Sequence, residues 1–106
     1  MSDDLRRPRD SVDILQYEIL QEQAASLGRM GRLLEAALAK LRAFDAAHPA
    51  GAPASALPAR RALVKEAGRA LWMFVVQREA CGLRDSRSIM RDYDVPGEVQ
   101  RRMGAF

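Results

Sequence analysis

Residues 11–47 read SVDILQYEILQEQAASLGRMGRLLEAALAKLRAFDAA, and this stretch decides the fold. Leucines recur every seven residues from Leu20 to Leu41, and the intervening positions of the same alternating spacing are apolar or small. A stripe with a period of about 3.5 residues on one helix needs an apolar surface to lie against. The pattern predicts a helix-packing seam formed by Tyr17, Leu20, Ala24, Leu27, Gly31, Leu34, Leu38 and Leu41.

The composition indicates one all-α domain. The chain has 106 residues, of which 48% are hydrophobic and only 6% aromatic, and this length suits a single small core. Strong helix formers dominate, whereas β-branched residues cluster only around Val75 and Val76. We expect a flexible N-terminus over residues 1–10 and a single helical domain over residues 11–106.

The first predicted helix spans residues 11–47. Asp10 or Ser11 can cap its start, and His48 can interact with the carbonyls at its end. Such a helix would be roughly 55 Å long, whereas a compact domain of this size has a radius of gyration near roughly 13 Å. The helix therefore extends beyond any globule that one chain could form. Gly28 and Gly31 indicate either a kink or a close packing partner, and we favour close packing because Gly31 lies in the seam.

A second helix is predicted over residues 58–81. The segment 48–58 is rich in proline, alanine and glycine and cannot continue a helix, whereas Gly82 suits a left-handed residue just after one. Two helices joined by this connection make an antiparallel hairpin. If opposite residues have numbers that sum to about 105, Gly31 faces Phe74 and Ala37 faces Gly68, which places small residues where helices approach closely.

The second helix carries more apolar surface than one partner can cover. Residues 70–76 are all apolar, so some of them must point away from the first helix. The candidate interface consists of Trp72, Met73 and Val76. The C-terminal tail, a second copy of the chain or a foreign protein could cover it, and a cofactor pocket around Trp72 is the less favoured interpretation.

The tail is predicted to form two short helices and to carry a basic surface. Residues 89–99 loosely resemble the helix-turn-helix pattern of bacterial regulators, although Gly97 near the start of the would-be recognition helix weakens the match. A basic leucine zipper is excluded because acidic Asp13 and Glu18 precede the leucines. The candidate basic surface consists of Arg84, Arg87, Arg91, Arg101 and Arg102, and a solvated polar face is the favoured interpretation of these arginines.

Charge order along the first helix indicates how two copies could assemble. Acidic residues lie in its first half and basic residues in its second half, which favours two antiparallel copies with unlike halves together. Arg60, Arg61 and Lys65 open the second helix, where the helix dipole disfavours them, and the acidic half of a partner would offset this. We therefore expect a homodimer resembling a four-helix bundle.

No catalytic, cofactor or metal site is predicted. His48 is the only histidine and Cys81 the only cysteine, and neither has a partner in the sequence that would activate it. The N-terminus lacks the apolar stretch of a signal peptide, and the longest apolar run is far shorter than the roughly 20 residues that span a bilayer. These features predict a cytoplasmic protein without a membrane partner.

Three short motifs carry a resemblance to a known group of proteins. They are Gln77-Arg78-Glu79-Ala80, Gly82-Leu83-Arg84-Asp85 and Tyr93-x-Val95-Pro96-x-Glu98-Val99. With these motifs the chain resembles a family of small all-helical α-proteobacterial proteins of unknown function. The resemblance implies a stand-alone helical protein and assigns no functional residue. We expect a non-enzymatic interaction or structural protein with an unknown protein partner, the alternative being a small nucleic-acid-binding regulator.

Overall fold

A computed structural model describes residues 2–104, with side chains from residue 10 onward. This part of the chain contains no β-strand and confirms the predicted all-α fold, in which two long helices precede two short ones. The elements are α1 (Ser2–Ala47), a 3-10 helix (Ala54–Ala56), α2 (Leu57–Ala80), α3 (Ser86–Asp92) and α4 (Gly97–Arg102).

Helix α1 begins earlier than the sequence indicated. It starts at Ser2, so Asp10 and Ser11 lie inside the helix and do not cap it. The helix continues through Pro8, although a proline beyond the first turn of a helix removes one backbone hydrogen bond and crowds the carbonyl four residues before it. The helix also runs unbroken through Gly28 and Gly31. The predicted flexibility of residues 1–10 stays a prediction, and the side chains of residues 1–9 lie outside the described part.

Helices α1 and α2 form the predicted antiparallel hairpin, and its register is the predicted one. Lys40 Nζ donates to Glu66 Oε1 at 2.8 Å, and Arg60 Nε donates to Asp45 Oδ1 at 2.9 Å. Both pairs have residue numbers that sum to about 105. The core between the helices contains Leu34, Ala37, Leu38, Leu41, Ala67, Leu71, Phe74 and Val75, all buried.

Gly31 confirms the close-packing interpretation, whereas Gly68 corrects it. A Cβ atom at Gly31 would lie 3.5 Å from Phe74 Cζ, as the register predicts. A Cβ atom at Gly68 would instead meet Arg102, at 3.0 Å from its Cβ and 3.2 Å from its carbonyl carbon. Gly68 is therefore small because α4 crosses α2 at this point, and the predicted pairing with Ala37 does not explain it.

The end of α2 follows the predicted glycine cap. Gly82 has φ +84°, and its N–H donates to the carbonyl of Glu79 at 2.9 Å while Leu83 N–H donates to Arg78 at 2.8 Å. These two bonds form a Schellman motif. Asp85 then caps α3 by accepting a hydrogen bond from the backbone N–H of Arg87 at 3.1 Å.

The two short helices fold back onto the hairpin. Ile89, Val95 and Val99 are buried in the same core as α1 and α2. Arg42 on α1 donates to the carbonyls of Tyr93 and Asp94 at 3.0 and 3.2 Å, which fixes the turn between α3 and α4. The molecule remains a rod of 75 × 22 × 20 Å, and its radius of gyration of 19.8 Å exceeds the roughly 13 Å of a compact domain.

Candidate interaction surfaces

The predicted seam on α1 is divided into a covered part and an uncovered part. Leu34, Leu38 and Leu41 are at most 2% exposed, Gly31 is buried, and Leu27 packs against the same core. These residues serve the hairpin. Three seam residues are exposed, namely Tyr17 at 63%, Leu20 at 62% and Ala24.

The exposed seam residues belong to a segment of α1 that extends past the end of α2. Because the hairpin register places Ala80 opposite residue 25, the preceding residues of α1 have no α2 beside them. We call residues 10–24 the α1 overhang. Its large apolar side chains are exposed by 50–63%, and they are Val12, Ile14, Leu15, Tyr17, Ile19 and Leu20.

The face of α1 that α2 covers continues into the overhang. Residues 3, 4 or 7 apart share one face of a helix, so Val12, Ile19 and Leu20 extend the stripe that Leu27 and Leu34 begin. In the hairpin that stripe is buried, whereas in the overhang Ile19 and Val12 are 50% and 53% exposed. The apolar face thus continues from the hairpin into the overhang, but α2 covers only the part in the hairpin.

The predicted interface on α2 is partly covered by the tail. Trp72 remains 42% exposed and Val76 43% exposed, while Met73 is half-buried. A Cβ atom at Gly104 would lie 3.5 Å from Trp72 Cδ1, so the end of the described chain lies against this ring. The tail alone therefore does not bury the face.

Exposed cations precede these apolar residues on the same side of α2. Arg61 and Lys65 are exposed, and spacings of four and seven residues place Arg61, Lys65, Trp72 and Val76 along one line of the helix. We call these four residues the α2 outer face. It is basic toward the start of α2 and apolar toward its end.

A compact ion-pair network holds the hairpin tip to α4. Arg60 Nη2 donates to Asp45 Oδ2 at 3.0 Å and to Glu98 Oε1 at 2.6 Å. The hydrogen bonds from Arg60 hold the pKa of Asp45 below its usual value, and the two carboxylates raise the pKa of Arg60. The sequence interpretation missed the role of Glu98, because a single acid in a short tail carries no periodic signal.

The arginines of the predicted basic surface lie on the loop before α3, on α3 and on α4. Arg84, Arg87 and Arg91 are exposed around α3, whereas Arg102 is half-buried where α4 crosses Gly68. Arg101 is exposed and its guanidinium lies near Gly97 on its own helix. Helix α4 has six residues, so the would-be recognition helix is less than two turns long.

A shallow cavity of about 370 Å³ lies between the start of α2 and α4. Its size is within the range of small-molecule sites, but Arg60 and Glu98, which line it, already form an ion pair with each other. The residues around it are Leu57, Arg60, Arg61, Val64, Glu98 and Arg102.

The two groups with chemical reactivity are engaged locally. His48 Nδ1 lies 2.8 Å from the carbonyl oxygen of Phe44, and the two rings stack at 4.3 Å, which confirms that His48 interacts with the end of α1. Cys81 Sγ lies 3.8 Å from Gln77 Nε2 and is half-buried. Among the side chains of residues 10–104, no three His, Cys, Asp or Glu residues come together in a group able to hold a metal ion.

Within the described residues, no helix has the length and apolar character needed to cross a membrane.

The resemblance is confirmed as far as a family of unknown function. A family of unknown function (DUF6665) matches residues 3–106. The chain belongs to this family. The α-proteobacterial origin stays a prediction. No curated protein and no solved structure matches the sequence.

Proposed function

We propose that this member of the DUF6665 family is a non-enzymatic interaction protein that acts in the cytoplasm as a homodimer. The observation that carries the proposal is the α1 overhang. Six large apolar side chains on it are at least half exposed, although the same face is buried wherever α2 covers it. An apolar helix face of this length promotes association, because burying it removes apolar surface from water.

A second copy is the partner that the charge order supports. The overhang contains Asp10, Asp13, Glu18 and Glu22 and no basic residue, whereas the hairpin that follows it carries an excess of Arg and Lys. Unlike charges on the two halves of one rod favour an antiparallel pair of such rods. A dimer of this kind covers two overhangs at once and needs no further protein.

The test is the mass of the purified protein by light scattering after gel filtration. We expect a value near twice the 11.8 kDa of the chain, and Leu20→Glu should convert it to the monomer by placing a charge on the overhang. Leu33→Glu is the matched control, since Leu33 is similarly exposed at 55% but lies on the hairpin. A monomeric wild-type protein would remove the proposal.

Nucleic-acid binding is the alternative, and no described contact favours it. The predicted arginines lie on separate elements, and α4 is shorter than a recognition helix. The ultraviolet spectrum of the purified protein and a binding assay against duplex DNA check this alternative, because phosphate contacts weaken steeply as salt is raised.

A further inference from the structure

We infer that the α1 overhang of each copy packs along the α2 outer face of the other copy, with acids against bases and apolar residues against apolar residues. The inference rests on the proposed homodimer and names the two surfaces that meet in it. It concerns Asp10, Asp13, Tyr17 and Leu20 on one side and the four residues of the α2 outer face on the other.

The ion pairs within the chain show which cations are left for a partner. Lys40 pairs with Glu66 at 2.8 Å, Arg60 with Asp45 and Glu98, and Arg42 donates to carbonyls of the tail. Over residues 10–104, Arg61 and Lys65 form no ion pair and are exposed. The positive charge available near the hairpin tip is therefore on the outer side of α2 rather than on α1.

The overhang carries the complementary charge. Glu22 pairs with Arg29 at 3.2 Å, which leaves Asp10, Asp13 and Glu18 without an ion pair among the described side chains. Two overhangs packed on each other would bring these carboxylates together, and like charges at close range are destabilising. Charge thus directs each overhang away from its counterpart and toward a basic face.

The order of the side chains also matches. Along α1, Asp10 and Asp13 come before Tyr17 and Leu20; along α2, Arg61 and Lys65 come before Trp72 and Val76. In an antiparallel dimer, α1 of one copy runs parallel to α2 of the other, so the two orders coincide. Asp10 and Leu20 are ten residues apart on α1, and Lys65 and Val76 are eleven residues apart on α2. When Asp10 lies near Lys65, Leu20 therefore lies near Val76.

The lengths of the two elements fit this arrangement. The α1 overhang extends roughly 22 Å and the 24 residues of α2 extend roughly 36 Å. Each overhang is therefore long enough to cover the part of the partner's α2 from Lys65 to Val76. The two α2 helices then meet end to end at the two-fold axis, near Leu83, which is 44% exposed. Each copy gives and receives the same surface, as a two-fold symmetric interface requires.

Cysteine cross-linking tests the contact directly. We expect Leu20→Cys with Val76→Cys, made in Cys81→Ser protein, to form a covalent dimer on mild oxidation, since a disulfide needs Cα atoms within about 7 Å. Each single-cysteine variant should stay uncross-linked. A disulfide formed by Leu20→Cys alone would show overhangs packed on each other and would overturn the inference while leaving the homodimer. Leu20→Cys is also paired with a cysteine at Trp72 and, separately, with one at Glu79. A protein that is a dimer by light scattering but forms no disulfide in any of the three pairings would also overturn the inference.

Charge reversal tests the pairing without a covalent bond. We expect the dissociation constant of the dimer to rise about ten-fold or more in each of two double variants. One is Asp10→Lys with Asp13→Lys, and the other is Arg61→Glu with Lys65→Glu. Combining all four changes should restore the wild-type constant. Glu35→Lys with Asp92→Lys is the matched control, since both carboxylates are exposed away from the two surfaces. Two weakened pairs without restoration in the combined variant would contradict the inference, whereas a monomeric wild-type protein would contradict the proposed function itself.

Discussion

The hydroxyl oxygen of Tyr93 lies 2.7 Å from the position that a Cβ atom on Gly31 would occupy. The Tyr93 ring also meets Phe74 edge to face, with centroids 5.6 Å apart. One glycine on α1 thus accommodates an aromatic residue from α2 and another from the turn after α3. The long helix is joined to the tail at this point because it has no side chain there.

Gly31→Ala should destabilise the protein, whereas Gly28→Ala should stabilise it. Alanine in a helix is favoured over glycine by about 1 kcal/mol, and at Gly28 the added Cβ would meet only the flexible end of Arg32 at 3.2 Å. At Gly31 the added Cβ would overlap Tyr93, and such overpacking costs about 1–3 kcal/mol. Urea denaturation followed by circular dichroism measures both variants.

Tyr93→Phe supplies the control for Gly31→Ala. Removing the hydroxyl removes the closest atom, so Gly31→Ala should be less destabilising in Tyr93→Phe protein than in the wild type. Equal costs in the two backgrounds would show that the overlap with Tyr93 is not the cause.

Gly68→Ala should loosen the docking of α4 on α2. The new Cβ would lie 3.2 Å from the carbonyl carbon of Arg102, and backbone cannot move aside as a side-chain end can. We expect a loss of about 1–3 kcal/mol in the free energy of unfolding together with faster amide exchange at Val99. Gly104→Ala is not a suitable control because Gly104 has φ +78°. The control is Ala62→Gly, a change at an exposed position of α2. Unchanged exchange at Val99 would argue against the contact between the helices.

The stability conferred by Asp45 should depend on pH in the acid range. Its folded pKa lies below the ordinary 3.8 because Arg60 donates to it, so its contribution is present above pH 3.8 and is lost as pH falls through the folded value. Asp45→Asn should therefore reduce stability at neutral pH, by about 1 kcal/mol or less for a pair this exposed. The difference from wild type should disappear in strong acid.

Urea titrations at several pH values measure this difference. Glu35→Gln is the control, because Glu35 is exposed and forms no ion pair among the described residues. A cost of Asp45→Asn that stays constant down to strongly acidic pH would contradict the role of the ion pair.

Much of the fold follows from local sequence signals. Pro58 and Gly82 mark the ends of α2 because each residue has a strong backbone preference at a helix terminus, and matching small with large residues gave the hairpin register through Gly31 and Phe74. Periodicity supplies this information wherever a helix is long and one of its faces is buried.

The position of the tail did not follow from such signals. Helices α3 and α4 are too short to show a period, so no sequence pattern places Arg102 on Gly68 or Tyr93 on Gly31. The predicted start of α1 was also wrong. Asp10 and Ser11 are residue types that often cap a helix, but α1 begins earlier, at Ser2. Tertiary contacts, which no local pattern contains, decide the position of the tail.

Two leucines of one seam should respond differently to the same truncation. Leu34 is fully buried under α2, so Leu34→Ala should cost about 2–5 kcal/mol of stability at every protein concentration. Leu20 is 62% exposed in the single chain, so Leu20→Ala should leave the stability of the monomer nearly unchanged. In a dimer that buries the overhang, its cost appears only as a weaker association. Denaturation midpoints measured across a wide range of protein concentration separate the two effects, because only association makes a midpoint depend on concentration. A large, concentration-independent cost at Leu20 would mean that the overhang is already covered within one chain, and the division of the seam between hairpin and dimer would be wrong.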